Sequence, residues 1–360
     1  MKFENIGIVG TGIWEGPTVS NSDFSRYYPG CHRLSDPLRG DVSVEGTVQL
    51  AGKVLDPAKF PQTVKILKET IGDPFRGARE RLILPNGVKS SEIETAAARR
   101  ALSDAGIEPG DVDFLLVQSF LPDEIQPHNA ALVAHKVGIT RAPSWNIDTL
   151  CNSAITHMLV ASSLIASGVA KNVLCVQSTA YSKVFDMTES VARTVGDGAS
   201  AFVIGKSKGA SITGAWRTDG SLYPGITLKY ASSGNMGVPL PNPRVMFDRQ
   251  SGVEVVAALE KYSRLVCGAV IEDFGVVYSG IDAFICNQNT VWMPSYTSEI
   301  IGIPTEKLFH TYKEYGNVNG VGLAASLHHA RKGGRLTAGS KVLVFGAAGG
   351  FTAGAVLLES

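Results

Sequence analysis

SWNIDTLCNSAITHMLVASSLIASG, residues 144–168, opens with a short apolar and aromatic run, Trp145 to Asp148, that reads as a buried strand. From Asn152 onward the residues are small or apolar, with neither Pro nor Gly before Gly168, which predicts a buried helix closed by a glycine. Cys151 falls at the junction of the two. The free N–H groups and positive dipole end of a helix favour a thiolate over a thiol, so a cysteine here is a candidate nucleophile with a lowered pKa. The same context also suits a small cysteine that simply fills the core.

Working outward, Ser90 to Gly106 has Ser before it, acidic residues in its first turn and Gly after it, the pattern of an amphipathic helix. Buried strands are expected at Asp113-FLLVQS and Asn172-VLCVQS, a helix at Pro127 to Lys136, and a Gly-rich turn and strand in Thr194-VGDGASAFVIG. Alternating buried strands and helices predict an α/β arrangement with helix-covered sheets. The order then repeats. A helix is expected at Val253 to Ala269, Ile281-DAFICNQ resembles Val112-DFLLVQS, and Lys341-VLVFGA resembles Asn172-VLCVQS. Both pairs are separated by the same interval (Asp113 to Asp282, Val173 to Val342), which points to two similar α/β halves, 1–208 and 209–360. The counterpart of the Cys151 junction is Tyr315-GNVNGVGLAAS. A pseudo-two-fold axis would bring the two helix starts together, with Cys151 beside Asn317 and the residues after Phe284 close by. Gly349 and Gly350 offer bare backbone that could aim N–H groups at the same place.

Before the first repeat, GTGIWEG (Gly10 to Gly16) superficially resembles a dinucleotide-binding turn, but its glycine spacing is wrong and no long helix follows. Tyr27 to Pro61 lacks periodicity and reads as an irregular surface insertion, with a short helix expected from Thr63 to Gly72.

The chain has 360 residues, 44% hydrophobic and 18% charged, an ordinary globular composition. Lys plus Arg and Asp plus Glu balance at 33 each, so no global field exists to hold nucleic acid or an anionic membrane. No apolar run reaches membrane-spanning length and the N-terminus has no signal-peptide core, which gives a cytoplasmic expectation. Five scattered cysteines fit a reducing compartment, and no His or Cys pair has metal-ligand spacing.

Taken together, ARERLILPN at Ala78, AGIEPGDVDFLLV at Ala105, the Cys151 helix, GDGASAFVIG at Gly196, YGNVNG at Tyr315 and GGFTAGAVLL at Gly349 resemble the 3-oxoacyl-acyl-carrier-protein synthase III (ketosynthase III) branch of the thiolase superfamily. The resemblance spans nearly the whole chain outside the insertion. It implies a five-layered αβαβα thiolase fold and a homodimer whose interface lies beside the site. Cys151 matches the acylated cysteine, Asn317 the site asparagine, and Gly349 the backbone partner of the Cys151 N–H in the oxyanion hole. Gln126, in the segment before Pro127, and Gln288 are expected at the substrate pocket. The family histidine is replaced by Asn287.

That replacement bears on the reaction. Acylation of Cys151 needs a thiolate and two backbone donors, and neither depends on the missing His. Decarboxylating a malonyl thioester draws on His and Asn to stabilise an enolate, and an amide carries no charge and shuttles no proton. Losing one such donor costs about 2.7–4 kcal/mol. The expected activity is thioester-dependent acyl transfer: acyl-CoA or acyl-carrier protein acylates Cys151, with no tightly bound cofactor, and the acyl group passes to a carbon, amine or alcohol acceptor. Two alternatives stand: an ordinary decarboxylative synthase, and a non-catalytic partner of an active paralogue. Among the other histidines, His310 is a better stand-in than His157, which points away from the Cys151 face; His128 is expected to line the pocket or simply cap or pack, and His328 and His329 are expected in solvent. Arg79 and Arg81 are candidates for a basic surface that meets pantetheine.

Overall fold

The computed structural model describes residues 1–27, 47–50, 52–185, 190–229, 244–247 and 249–360. Numbered over the main sheet, the strands are β1 (Lys2–Ile13), β2 (Phe114–Ser119), β3 (Ser144–Asn146), β4 (Asn172–Ala180), β5 (Asp197–Thr218), β6 (Ala283–Cys286), β7 (Lys341–Ala348) and β8 (Thr352–Glu359). The helices that cover them are α1 (Ser90–Ala105), α2 (Ala130–Val137), α3 (Ser153–Ala166), α4 (Arg249–Phe274), α5 (Met293–Ile301) and α6 (Val321–Lys332). The helices expected at Pro127–Lys136 and Val253–Ala269 thus begin later and run longer, respectively, than the sequence suggested. The short helix expected from Thr63 spans Pro61–Thr70.

The ladder runs β6-β7-β8-β5-β4-β2-β3, with β1 also paired to β5. Strand alternation turns this ladder into layers. Leu115, Val117, Leu174, Val176, Ala201 and Val203 face an outer cluster with α1 and α2. Their neighbours Leu116, Val173, Cys175, Phe202 and Ile204 face a central cluster that holds α3 and α6. Ala283, Ile285, Val342, Val344, Val356 and Leu358 enter that same central cluster from the other side, while Phe284, Leu343, Phe345, Ala355 and Leu357 face α4 and α5. The result is the expected order of helices, sheet, helices, sheet, helices.

Like hydrogen bonds occur at corresponding positions of the two stretches. β2 pairs with β4 in parallel and β6 pairs with β7 in parallel. The Asp113 N–H donates to the Asn172 carbonyl at 2.9 Å, and the Asp282 N–H donates to the Lys341 carbonyl at 2.8 Å. Each aspartate also receives an amide at the start of the neighbouring strand, Asn172 N–H at 2.9 Å and Lys341 N–H at 2.8 Å. The expected boundary between 208 and 209 falls inside β5, which is one strand through both halves. Only an exposed stretch around Lys206 to Gly209 marks it, with Gly209 at φ +82°. A linker is therefore absent there: the strand is shared.

Two expectations about burial are corrected. Trp145 is 45% exposed, because β3 is an edge strand paired only to β2 and nothing in the single chain covers its outer side. The insertion is not all surface: residues 28–46 and 51 lie outside the described residues, but Val48, Leu50, Leu55 and Phe60 are buried against α4 and α5. The glycines of GTGIWEG have a packing role. A Cβ at Gly10 would come within 2.6 Å of Ala105, and one at Gly12 would overlap the Ala97 carbonyl and the Ala101 nitrogen. β1 and α1 therefore touch backbone to backbone.

Candidate active site

β3 gives way at Asp148 to a tight turn, and Leu150–Asn152 forms a single 3-10 turn ahead of α3. Leu150 has φ +52°, a left-handed conformation that costs a branched residue about 1–3 kcal/mol. Local bonds hold it. The Asp148 carboxylate accepts the Leu150 N–H at 2.6 Å, and Ser153 Oγ accepts the Thr149 N–H at 2.9 Å. The Thr149 and Thr156 hydroxyls meet at 2.8 Å. The turn packs on β7 and β8.

Cys151 sits on this turn, 8% exposed. The expected low pKa is not what the surroundings produce. Burial pushes the thiol up to about 12, and the nearby Asp148 charge adds to this, while the cysteine's own backbone N–H acts the other way. The physical reason is that α3 proper begins only at Ser153, and desolvation outweighs the help of one amide.

Asn287 lies directly beneath. Its Nδ2 donates to the Cys151 carbonyl at 3.1 Å, and its Oδ1 accepts the Ala347 N–H. The side chain is 2% exposed. It connects the nucleophile turn to β7 through one N–H and its oxygen. Gly346 makes room: a Cβ there would lie 2.6 Å from Asn152 Oδ1 and 3.2 Å from Asn287 Oδ1.

The starts of α3 and α6 do approach each other, as the repeat implied, but the approach is made by Gly320. A Cβ there would lie 2.8 Å from the Leu150 carbonyl oxygen and 3.6 Å from Ser153. Asn317, three residues earlier and half-buried, bridges to Val195, and its Oδ1 accepts the Asn319 N–H at 3.0 Å. Gly349 is half-buried at the tip of the β7–β8 hairpin, next to Gly350 at φ +68° and Phe351 at φ +38°.

Gln288 is engaged within the fold. It is buried with both ends of its amide on Thr311: Nε2 donates to Oγ1 at 2.8 Å, and Oε1 accepts the Thr311 N–H at 2.8 Å. Both bonds tie it to the loop at Thr311, as a buried primary amide needs partners for its donor and its acceptor. Gln126 is exposed beside Ile125, which is 70% exposed. Arg81, expected at a basic surface, is buried between the rings of Phe24 and Phe75 and donates to Asn21, whereas Arg79 is exposed. His157 donates through Nε2 to the Ile147 carbonyl at 2.9 Å and accepts from Gln177 at 2.8 Å, a structural role. His328 and His329 are not solvated as expected; they bond Thr11 at 3.0 Å and Tyr315 at 2.8 Å.

Sequence reasoning missed the wall beside Cys151. Phe120, Tyr181 and Phe185 stack edge-on at 4.8 and 5.1 Å and form one apolar cluster with Leu121 and Leu150. Tyr181 is the polar member: burial, and then the nearby Cys151, hold its pKa well above the ordinary value, while the Asn319 side chain acts the other way. The available signal was position, since Phe120 and Tyr181 directly follow the ends of β2 and β4. Among the described residues, no group of His, Cys, Asp or Glu is placed to hold a metal ion, and no helix is long and apolar enough to cross a membrane.

Comparison with known proteins agrees with this geometry. The family described as 3-oxoacyl-acyl-carrier-protein synthase III matches residues 145–220, and its C-terminal counterpart matches residues 271–360. A β-ketoacyl-acyl-carrier-protein synthase III of Bordetella petrii is 29% identical over 286 residues, covering 78% of this chain and 85% of that protein. The crystal structure of the Aquifex aeolicus 3-oxoacyl-acyl-carrier-protein synthase III is similar with a TM-score of 0.76 and 26% identity, over 99% of this chain and 100% of that one. A histidine-to-asparagine variant of Xanthomonas campestris OleA shares the fold with a TM-score of 0.76 and 19% identity, over 100% of both chains. With its layered α/β halves and the cysteine turn between them, the chain is a 3-oxoacyl-acyl-carrier-protein synthase III-like condensing enzyme of the thiolase superfamily, and hence an acyltransferase.

Proposed function

We propose that this protein takes an acyl group from acyl-CoA or an acyl-carrier protein onto Cys151 and delivers it to an acceptor that arrives already nucleophilic. Such an acceptor is an amine, an alcohol or an acidic carbon. The observation that carries this reading is Asn287: where the family has an ionisable imidazole, this chain has a buried amide committed to the Cys151 carbonyl and the Ala347 N–H. Decarboxylative condensation asks for a strong donor at the enolate, and this position offers none of comparable strength. Acylation asks less of it. The sulfur attacks the thioester carbonyl, the C–S bond to the carrier breaks, and the thiol proton leaves with the carrier thiol. The acceptor then attacks the acyl-cysteine and returns the thiol.

Backbone N–H groups of Cys151 and Gly349 are proposed as the oxyanion donors, with Asn317 as a further polar group of the site. The exposed edge strand with Trp145, together with Ile125 and Gln126, supports a homodimer built on this side. A role in specialised-metabolite, polyketide or fatty-acid biosynthesis suits the departure from the family histidine, and no bound cofactor is needed.

Intact-protein mass spectrometry after incubation with a panel of acyl-CoAs and acyl-carrier thioesters tests the first step. One acyl increment is expected in the wild type and none in Cys151→Ala. Carbon dioxide released from a malonyl thioester in step with product would replace this reading by decarboxylative condensation. No adduct from any donor would favour the partner-subunit role.

A further inference from the structure

We propose that Glu94 is a positioning residue that sets the aromatic wall beside Cys151 and renders it responsive to pH. Glu94 lies on α1 and is fully buried beneath the ends of two strands. Its carboxylate receives three donors: Ser119 Oγ at 2.6 Å, Ser178 Oγ, and Asn129 Nδ2 at 2.9 Å. Ser119 immediately precedes Phe120, and Ser178 stands three residues before Tyr181. One carboxylate therefore holds the two strand ends from which the stacked rings project.

Asn129 extends the same hold to the loop between β2 and α2. Its Oδ1 accepts the Asp123 N–H at 2.9 Å, and Asp123 in turn accepts Ser91 Oγ at 2.6 Å at the start of α1. The next residue, Ala130, donates its N–H to Asn146 on β3 at 3.1 Å, two residues before Asp148. The loop is thus pinned at both ends to elements that flank the nucleophile turn. The charged groups facing Glu94 are few. Asp123 raises its pKa, and Lys136 on α2 reaches the cluster through Ser91 at 2.7 Å. Burial is the larger effect and pushes the carboxyl up to about 7. An ionised Glu94 accepts all three bonds; once protonated, one of its oxygens becomes a donor that a serine hydroxyl must turn to accept, so the bonds to the strand ends rearrange even though burial favours the neutral carboxyl. The anchoring of the wall is reset as the pH falls.

The consequence for acyl transfer rests on the function proposed above, whereas the coupling of Glu94 to the wall does not. Two readouts separate them. Infrared difference spectra of the whole protein, titrated from about pH 5.5 to about pH 8.5, follow the protonated carboxyl band, and ultraviolet difference spectra follow tyrosine. A carboxyl band titrating near neutrality is expected, accompanied by a tyrosine signal; Glu94→Gln loses both and Tyr181→Phe loses the second. Ser178→Ala, a milder change that removes one donor to the ionised form, is expected to move the midpoint to higher pH. For acylation, KM for a long acyl-CoA is expected to rise several-fold at low pH in the wild type, while kcat changes less. Glu94→Gln is expected to keep the high KM at every pH. Wild-type titration behaviour in Glu94→Gln, or a Ser178→Ala midpoint that stays put, would overturn the proposal. Spectral coupling without any acylation would uphold it and instead count against the acyl-transfer reading.

Discussion

Asn287→Ala separates a bolt under the nucleophile from a donor that acts on substrate. The substitution removes the partner of the Cys151 carbonyl and the partner of the Ala347 N–H at once. Both groups lie in a region closed to solvent, and Gly346 and Gly354 leave no side chain that could swing in to replace the amide. A buried polar group left unpaired costs about 1–3 kcal/mol, so the two together predict a loss of roughly 2–6 kcal/mol. Urea unfolding followed by tryptophan fluorescence and circular dichroism measures it as a lower midpoint. The acylation rate of Cys151, measured by mass spectrometry, is expected to fall with it, since the strained turn loses an anchor. Asn287→Asp sharpens the test: it keeps an acceptor for Ala347 but sets an oxygen against the Cys151 carbonyl, and it is expected to be no better than Ala. An Asn287→Ala protein within about 0.5 kcal/mol of wild type, impaired only in a later transfer step, would refute the bolt.

Gly12→Val drives a side chain into the backbone of α1 at Ala97 and Ala101, where nothing flexible can yield, and is expected to cost about 3 kcal/mol or more in unfolding free energy. Stability against pH tests two buried groups together. Glu94 is pushed up from 4.5 to about 7, so its contribution is full below 4.5 and is lost as pH rises towards 7. His157 is pushed down from 6.5 to about 4, so its contribution is full above 6.5 and is lost as pH falls towards 4. Each amounts to about 3 kcal/mol at about 1.36 kcal/mol per pH unit. They oppose each other between 4.5 and 6.5, so Glu94→Gln is expected to expose a rise in stability with pH that the wild type conceals in denaturant titrations. Trp145→Lys places a charge on the exposed edge strand and is expected to shift the sedimentation coefficient towards that of a monomer, if wild type is the homodimer proposed.

Much of this architecture could be read from local pattern. The apolar runs at Phe114, Val173 and Val342 are buried on both sides and became strands, and the Ser90 helix ends at Gly106 in the left-handed conformation expected of a cap. The matched intervals between halves reappeared as matched hydrogen bonds at Asp113 and Asp282. What local pattern could not show is which face meets which. Trp145 looks like a core residue until β3 is seen to be an edge, and the partner of Gln288, Thr311, lies 23 positions on. Glu94, within an amphipathic helix, reads as one more solvated acid, because Ser119 and Ser178 join it only through the sheet. For Cys151 the sequence located the turn but not the thiol's acidity, which depends on how completely the surrounding layers exclude water.

Strand β5 also constrains the order in which this molecule can assemble. Ser211, in its second half, pairs with Glu4 on one side and with Glu359 on the other. Two strands far apart in sequence, β1 and β8, are thus zipped to the same residue. A nascent chain emerging from the ribosome can complete the first sheet early, but one side of β5 stays an open edge until residues 352–359 arrive. Loop closure over so long a span is slow, and an open strand edge invites pairing with other chains. Loss of those eight residues is therefore a defect of assembly for the whole protein, felt at the nucleophile turn because that turn packs on β8.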